Sequence, residues 1–355
     1  MKNPYLYIAS EHSDDERLVL ATIISTRGST PQKPGSSAIF NSEGLVYGTI
    51  GGGVLEGRIT EIALGSLISG KSGIYHFDLD KDVDHSDEAI CGGTADVVID
   101  AMPGNHLPVF RKAEELIVNR NPCVILTILD ESGEGQLTIE RFVYSSRSAG
   151  DIPGNIPPGV IESADRLLCD NVRDVCKLFI PEAAEGDTKR SVFLEPLFPV
   201  AKLVIAGAGH IGKALCHLVS RLDFEVTVID DRPEYANSDN LPDADSIVVG
   251  NIGEVLRGID KDRNTYIVIV TRGHSDDAEA LRACIKSRPA YLGMIGSRTK
   301  IAKMHGNFID SGWADEDEWS AVHAPIGVDI LSQTVEEIAV SIAAQLIHEK
   351  NKQGL

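Results

Sequence analysis

The stretch KLVIAGAGHIGKALCHLVSRLDFEVTVIDD, residues 202–231, decides the fold of the second half of the chain. An apolar run ends in a glycine-rich turn, a helical pattern follows, and a second apolar run ends in Asp230 and Asp231. This order of strand, tight turn, helix, strand and acid is that of a dinucleotide-binding βαβ unit. The sequence therefore predicts a Rossmann-like, doubly wound parallel sheet whose first turn faces a phosphate group.

Each glycine of the turn has its own expected role. Gly207 permits the tight turn, Gly209 lets the backbone approach a pyrophosphate, and Gly212 lets the helix pack close to the strand. His210 begins the helix, where free N–H groups and the helix dipole favour a phosphate. Because this turn lies between two strands and is followed by acids, it is a stronger signal than an isolated glycine motif.

The acids at the end of the second strand bear on which nucleotide would bind. Asp230 or Asp231 would bond ribose hydroxyls, which favours NAD over NADP. Arg232 beside them would weaken that preference by binding a 2′-phosphate. Alternatively, both aspartates are solvent-exposed side chains at the end of a strand and bind no ligand. Since one fold serves many functions, the unit predicts a phosphate-binding crevice and no particular reaction.

The alternation of strands and helices continues along the rest of the chain. Apolar runs at residues 245–250, 265–271 and 290–296 predict three more strands separated by helices. A last helix is predicted from about Thr334, where Thr334 and Glu337 form a capping box. The alternation implies a parallel sheet covered on both faces, with ligands at the carboxyl ends of the strands.

Two further strand ends bring polar groups to the same edge of the predicted sheet. Arg272 and His274 follow the fourth strand, and Ser297 and Arg298 follow the fifth. Arginine suits a phosphate or carboxylate through bidentate contact, and histidine titrates near neutral pH. Strand-end loops are polar without any ligand as well, but the convergence of three such loops favours a functional crevice.

The length and charge of the chain limit the class of protein to which it can belong. The chain has 355 residues, a formal net charge of −20 and 43% hydrophobic residues, which is typical of a globular protein with two domains. The acidic balance argues against nucleic acid and anionic membranes as partners. The start lacks a signal-peptide pattern, no stretch has the length of a membrane span, and the six cysteines form no CxxC pair. We therefore expect a cytoplasmic protein with free thiols.

The predicted domain boundary falls near Pro199. Residues 1–199 are expected to form an α+β domain, and residues 200–355 the Rossmann-like domain. Within the first domain, helical patterns are predicted at about residues 54–69 and from residue 163 to about 178, among several strands. The fold class is therefore α/β, with a Rossmann-like sheet preceded by an α+β domain.

A second glycine-rich turn lies in the first domain. Gly51, Gly52 and Gly53 join a predicted strand to a helix, where backbone N–H groups can cradle an anion. The alternative is a tight turn packed under another element. The sequence alone favours neither interpretation.

The segment Cys91-Gly92-Gly93 precedes another strand and presents a thiol on an open backbone. A ligand could reach this sulfur, although a structural thiol is the commoner reason for such a cysteine. His76 and His85 lie among alternating aspartates, but the spacing is typical of a solvated strand and loop. No metal site is predicted there.

Six segments of the chain, taken together, resemble the XdhC/CoxI family of xanthine dehydrogenase accessory proteins. The order of the segments also matches that family. They are GTIGGGVLEGRITEIA (48–63), ICGG (90–93), VIAGAGHIGKAL (204–215), TRGHSDD (271–277), YLGMIGSRTK (291–300) and APIGVDILSQTVEEIAVSIAAQ (324–345).

The resemblance implies a factor that binds molybdenum cofactor (molybdopterin) and assists its sulfuration by a cysteine desulfurase. It further implies insertion of the cofactor into an apo molybdenum hydroxylase of the xanthine dehydrogenase type, by a homodimer. The glycine turns at 51–53 and 207–212 would then hold a phosphate of the cofactor, and Cys91 would shield or coordinate it.

Two other classes of function stay open. An NAD(P)-dependent oxidoreductase would use the Rossmann crevice, but the first domain offers no matching acid–base set. A nucleotide-sensing protein would bind NAD(P) without turnover. The family resemblance favours a cofactor-binding maturation factor over an enzyme.

Overall fold

The computed structural model describes residues 3–11, 17–79, 93–132, 136–146, 156–172, 174–179 and 189–352. The chain divides into two units, Met1–Pro199 and Val200–Gln353, each with its own core. In the described residues, no helix is long and apolar enough to cross a membrane.

The first unit contains two antiparallel sheets with helices packed on them. The first sheet has the order β3-β2-β1-β5-β4 and the second β7-β6-β9-β8, in the numbering that follows. The elements are α1 (Pro4–Glu11), β1 (Val19–Gly28), β2 (Ser37–Asn41), β3 (Gly44–Gly48), α2 (Gly53–Ser69), β4 (Gly73–Asp78), β5 (Gly93–Asp100), α3 (Leu107–Val118), β6 (Cys123–Glu131), β7 (Leu137–Tyr144), α4 (Pro158–Cys169), β8 (Cys176–Phe179) and β9 (Lys189–Leu197).

Apolar side chains on alternate strand positions build the core of this unit. Leu55 and Ile59 of α2 pack on the first sheet, and Val160 and Leu167 of α4 pack on the second. Burial of these faces excludes apolar surface from water and stabilises the unit. The predicted α+β character of the region is confirmed.

The helix predicted at residues 163–178 is wrong at both ends. The observed α4 begins at Pro158, because proline suits the first turn of a helix. It ends at Cys169, and Asn171 then takes a left-handed conformation with φ of 54°, which stops the helix. The following Cys176–Phe179 pairs with β9 as an edge strand.

The second unit is a five-stranded parallel sheet of order β12-β11-β10-β13-β14. One face is covered by α5 and α10, and the other by α6, α7 and α8. The elements are β10 (Ala201–Ala206), α5 (His210–Val219), β11 (Phe224–Asp230), β12 (Ser246–Val249), α6 (Ile252–Gly258), β13 (Thr265–Ile269), α7 (His274–Cys284), β14 (Tyr291–Met294), α8 (Arg298–Asp310), α9 (Glu316–Ser320) and α10 (Val335–Lys352).

This arrangement confirms the Rossmann-like sheet that the sequence predicts. The first strand of the unit lies in the middle, so the order reverses between β10 and β13 and opens a crevice at their carboxyl ends. The capping box before α10 is also present: the Glu337 N–H donates to Thr334 Oγ1 at 3.2 Å, and the Thr334 N–H donates to the Glu337 carboxylate at 3.1 Å.

Candidate functional site

The glycine turn after β10 is shaped by close contacts between backbones. Gly207 has a φ of +119°, and a Cβ there would lie 2.5 Å from the Val270 carbonyl oxygen. A Cβ on Gly212 would lie 1.9 Å from the Gly207 carbonyl oxygen. The fold itself therefore requires glycine at both positions.

Gly209 differs from the other two glycines of the turn. Its φ is −68°, which any residue adopts, and a Cβ there would meet no heavy atom within 4 Å. The start of α5 has no side-chain cap among the described residues and no acid in its first turn. The positive end of the helix thus faces open space, which is the arrangement that attracts a phosphate.

Asp230 fastens the glycine turn to the end of β11. Its side chain is buried, and its Oδ2 accepts the Ala208 N–H at 2.8 Å while its Oδ1 accepts the Arg232 N–H at 3.0 Å. Burial alone would raise the pKa of Asp230, but the Arg232 guanidinium and these two N–H groups outweigh it and hold the pKa below its usual value. The carboxylate is therefore engaged by the protein itself.

Arg232 is held in place from two sides. Its Nε and Nη2 donate to the two Asp230 oxygens at 2.8 and 3.0 Å, and its guanidinium carbon lies 3.9 Å from the Tyr235 ring centre. Such a bidentate, stacked arginine has its charge neutralised and its orientation fixed. The group that would meet a 2′-phosphate is therefore committed to Asp230.

An exposed ion pair crosses the crevice over the end of β10. Arg272, which follows β13, donates from Nη2 to Asp231 at 3.0 Å and from Nε to Asp276 at 3.4 Å. Since β10 lies between β11 and β13, the arginine spans the mouth of the glycine turn. Two neighbouring carboxylates thus already compete for this guanidinium.

A buried carboxylate ties the loops after β13 and β14 together. Asp277 is fully buried, accepts the Thr271 hydroxyl at 2.5 Å and forms an ion pair with Lys300. Lys300 lies in the first turn of α8, so this pair fixes α8 relative to α7. A buried, paired charge of this kind orients the loops around it.

The other predicted residues of this edge lie at helix starts. The Ser297 hydroxyl caps α8 by accepting the Lys300 N–H at 3.2 Å. His210 begins α5, His274 begins α7 and Arg298 begins α8, and all three side chains are exposed. Within the described ranges, none of these three has a hydrogen-bond or ion-pair partner.

A cavity of about 440 Å³ lies beyond the end of β14. Its walls include Gly296 from the loop after that strand and Arg298 at the start of α8. Ile326 and Asp329 come from the segment before α10, and Ile338 from α10 itself. The cavity therefore combines apolar walls with one acidic and one basic group, as small-molecule sites do.

The first unit's glycine turn is already filled by a carboxylate. Glu56 Oε2 accepts the Thr49 hydroxyl at 2.9 Å, the Ile50 N–H at 3.2 Å and the Gly52 N–H at 3.4 Å. Gly51 and Gly53 have positive φ angles, as does Gly52. The anion in this cradle is thus a side chain of the chain itself.

Gly93 begins β5 under a close backbone contact. A Cβ there would lie 2.6 Å from the Arg27 carbonyl oxygen, so the packing of the strand requires glycine. Cys91 and Gly92 lie outside the described residues. In the part of the chain that the structure describes, no group of three or more His, Cys, Asp and Glu side chains is arranged to hold a metal ion.

Several residues of this edge have roles that the sequence does not reveal. The sequence pattern gives Asp277 and Lys300 no site role, and it offers Arg232 to a 2′-phosphate rather than to Asp230. A tertiary ion pair leaves no local pattern that would identify it. Asp329 lies within a segment that resembles the family, and that resemblance is the available signal for the cavity.

The sheet order, the glycine turn and the acid at the end of β11 define a Rossmann-type unit with a crevice at the carboxyl ends of β10 and β13. Two family models match the chain: the XdhC Rossmann domain at residues 203–346 and the XdhC and CoxI family at residues 12–78. The two ranges together cover more than half of the chain. It belongs to the XdhC/CoxI family of xanthine dehydrogenase accessory proteins.

Similar proteins support this placement. A probable xanthine dehydrogenase subunit of Bacillus subtilis (strain 168) is 24% identical over 341 residues, which cover 96% of this chain and 95% of that protein. The uncharacterized protein YqeB of Escherichia coli (strain K12) is 26% identical over 258 residues, covering 68% of this chain and 46% of that longer protein.

A solved structure shares the fold over almost the whole chain. It is the crystal structure of a protein called a xanthine dehydrogenase from Bacillus halodurans, with a TM-score of 0.79 and 23% identity. The likeness covers 98% of this chain and 95% of that one. At this identity it shows the architecture.

Proposed function

We propose that this chain binds molybdenum cofactor by its phosphate at the turn of residues 207–212 and delivers it to an apo-enzyme of the xanthine dehydrogenase type. Family membership supports the class of cargo and client. The observation that carries the phosphate site is the open space at Gly209, in front of an α5 start that no described side chain caps. Close backbone contacts within the fold explain why glycine stands at positions 207 and 212. No such contact explains Gly209, whereas a bound phosphate would.

The contrast between the two glycine turns supports this choice of site. At the start of α2, Glu56 accepts two backbone N–H groups, so a phosphate there would have to displace a carboxylate. In the turn before α5 the Asp230 carboxylate accepts the Ala208 N–H, but no described side chain caps the start of the helix itself. The helix dipole and N–H groups there suit the phosphate of molybdopterin even in a chain of net charge −20.

The cofactor is the cargo of this protein, and the molybdenum it carries would serve the client enzyme. The residues of this chain hold and orient it: the α5 N-terminus meets the phosphate, and Arg298 and Arg272 supply positive charge at the same edge. By the same family likeness, we include a cysteine desulfurase and a second copy of the chain as partners. A size measurement in solution tests the homodimer.

A second candidate is a nucleotide-dependent enzyme or sensor that binds NAD(P). The sheet order and the exposed Asp231 at the end of β11 favour it, because a carboxylate there suits ribose hydroxyls. With Arg232 committed to Asp230, this candidate would prefer NAD over NADP. His210 and His274, each without a described carboxylate partner, offer no built acid–base pair.

The test is anaerobic purification from a host that makes molybdenum cofactor, followed by oxidation and measurement of pterin fluorescence. We expect pterin in a one-to-one ratio with the wild-type chain and almost none with Gly209→Val. Gly306→Val is the matched control, since a Cβ at that exposed helix position also meets open space. Absence of pterin from the wild type, with saturable NAD(P) binding instead, would overturn the proposal in favour of the second candidate.

A further inference from the structure

We propose that the cavity beyond β14 holds the pterin ring of the cofactor, and that Asp329 recognises the ring's 2-amino-4-oxo edge. This inference rests on the proposed function and deepens it, because it assigns one part of the cofactor, the pterin ring, to one particular cavity. The cavity lies wholly within the second unit.

The position of the cavity fits a ligand whose phosphate lies at the glycine turn. The strand order places β14 two strands away from β10 on the same side as β13. At about 4.8 Å between neighbouring strands, the two strand ends lie roughly 10 Å apart. In molybdopterin the pterin is fused to a third ring that carries the phosphate on a methylene, so the pterin edge and the phosphate lie apart by a distance of this order.

The walls of the cavity suit a flat heterocycle. Ile326 and Ile338 provide apolar surface for the faces of a ring, and Asp329 and Arg298 provide the polar groups. A volume of about 440 Å³ is in the range of small-ligand sites.

The chemistry of Asp329 selects among flat rings. The pterin edge presents a ring N–H and an amino group side by side, so that two donors meet one carboxylate as an arginine fork does. A nicotinamide carboxamide presents one donor and one acceptor, and its acceptor would repel a carboxylate. The Asp329 carboxylate accepts only the Leu331 N–H, at 3.3 Å, in the described part of the chain, so most of its hydrogen-bonding capacity is available.

Arg298 is a second charged residue in the wall of the cavity. It lies at the first position of α8, and among the residues described it has no ion-pair partner. A free guanidinium beside an apolar slot suits an anionic or oxo-bearing part of the ligand. The wall of the cavity therefore offers both a hydrogen-bond acceptor and a donor.

The experiment compares two fluorescent probes, pterin and lumazine, by titration of the purified full chain. Lumazine has the same ring system but carries a carbonyl oxygen where pterin has the 2-amino group. We expect the wild type to bind pterin at least about tenfold more tightly than lumazine, because the carbonyl loses a charge-assisted hydrogen bond and faces the carboxylate.

Asp329→Asn changes the edge that meets the probe while keeping the Oδ1 that accepts the Leu331 N–H. An amide pairs one donor with one acceptor, which matches lumazine, so the preference for pterin should fall at least about tenfold and approach or pass equality. Asp310→Asn, the same change at an exposed position at the end of α8, should keep the wild-type ratio.

The outcomes separate this inference from the proposed function. If the purified wild type carries molybdopterin but Asp329→Asn leaves the pterin-to-lumazine ratio unchanged, the cavity assignment is wrong and cofactor binding stands. If the wild type carries molybdopterin yet binds neither probe, the cavity assignment is again wrong. If the wild type neither retains molybdopterin nor binds pterin, both are wrong.

Discussion

A buried carboxyl group should make the stability of the first unit depend on pH. Glu195 of β9 is 5% exposed and accepts a hydrogen bond from the Tyr5 hydroxyl. Burial raises the pKa of Glu195 to about 7, although the Tyr5 hydrogen bond and the nearby Arg141 lower it. The folded unit therefore holds a proton on this group at pH values where the unfolded chain has released it.

The sign and size of the effect follow from the two pKa values. Between its ordinary pKa of 4.5 and the folded value of about 7, the unfolded state binds fewer protons, so stability falls as pH rises. At 1.36 kcal/mol for each pKa unit, the loss is roughly 3 kcal/mol, complete above pH 7. Glu195→Gln is neutral at every pH and keeps an oxygen for Tyr5, so this loss should disappear.

The assay is hydrogen exchange of peptides from β6 and β9 in wild type and Glu195→Gln, from pH 4.5 to 8.5, corrected for the intrinsic pH dependence. The difference in opening free energy between the two proteins should grow with pH by roughly 3 kcal/mol. The two tryptophans, Trp313 and Trp319, both lie in the second unit, so urea unfolding followed by their fluorescence is the control. A wild-type pH slope that persists unchanged in Glu195→Gln would refute the reasoning.

Four further substitutions test the site. Asp230→Asn should lower the stability of the second unit by about 2 kcal/mol, because the buried Ala208 N–H and the Arg232 guanidinium lose a charged partner. Urea unfolding followed by tryptophan fluorescence measures this. An unchanged unfolding midpoint would contradict the role given to Asp230. Arg272→Ala and Asp231→Asn should each cost less than about 1 kcal/mol, because the pair is exposed. Their molybdopterin retention should diverge, however, falling in the first and holding or rising in the second, and equal retention in both would count against an anion at this arginine. Cys91→Ala should lower pterin retention or delivery if its thiol protects the cofactor, and full retention with full delivery would exclude that role.

The parts of the fold that could be predicted have local signals. The turn of residues 207–212 and the capping box at Thr334 depend on residues close in sequence, and both are predicted correctly. The end of α4 is not, because the strand Cys176–Phe179 exists only through its pairing with β9. A short polar-apolar segment of that kind fits a helix or a strand equally well until a partner selects one.

In the candidate site, too, the sequence pattern does not specify which groups a side chain contacts. An acid at the end of a strand has the same sequence pattern whether it faces a ribose or a backbone N–H, and the position of Ala208 and Arg232 decides this for Asp230. Likewise, Gly51 to Gly53 offer an anion cradle, and only the fold shows that Glu56 fills it. Which donors a carboxylate meets is a tertiary property, so the sequence nominates these residues but does not assign their partners.

The arrangement around Arg272 bears on release as much as on binding. A factor that delivers its cargo must hold it reversibly, and an incoming phosphate at this arginine would compete with Asp231 and Asp276. Because exposed ion pairs contribute at most about 1 kcal/mol, this competition lowers affinity by only about fivefold. When the phosphate leaves, the same two carboxylates can form their ion pairs with Arg272 again. Under the proposed function, an arginine that already pairs with two carboxylates therefore favours transfer over permanent retention.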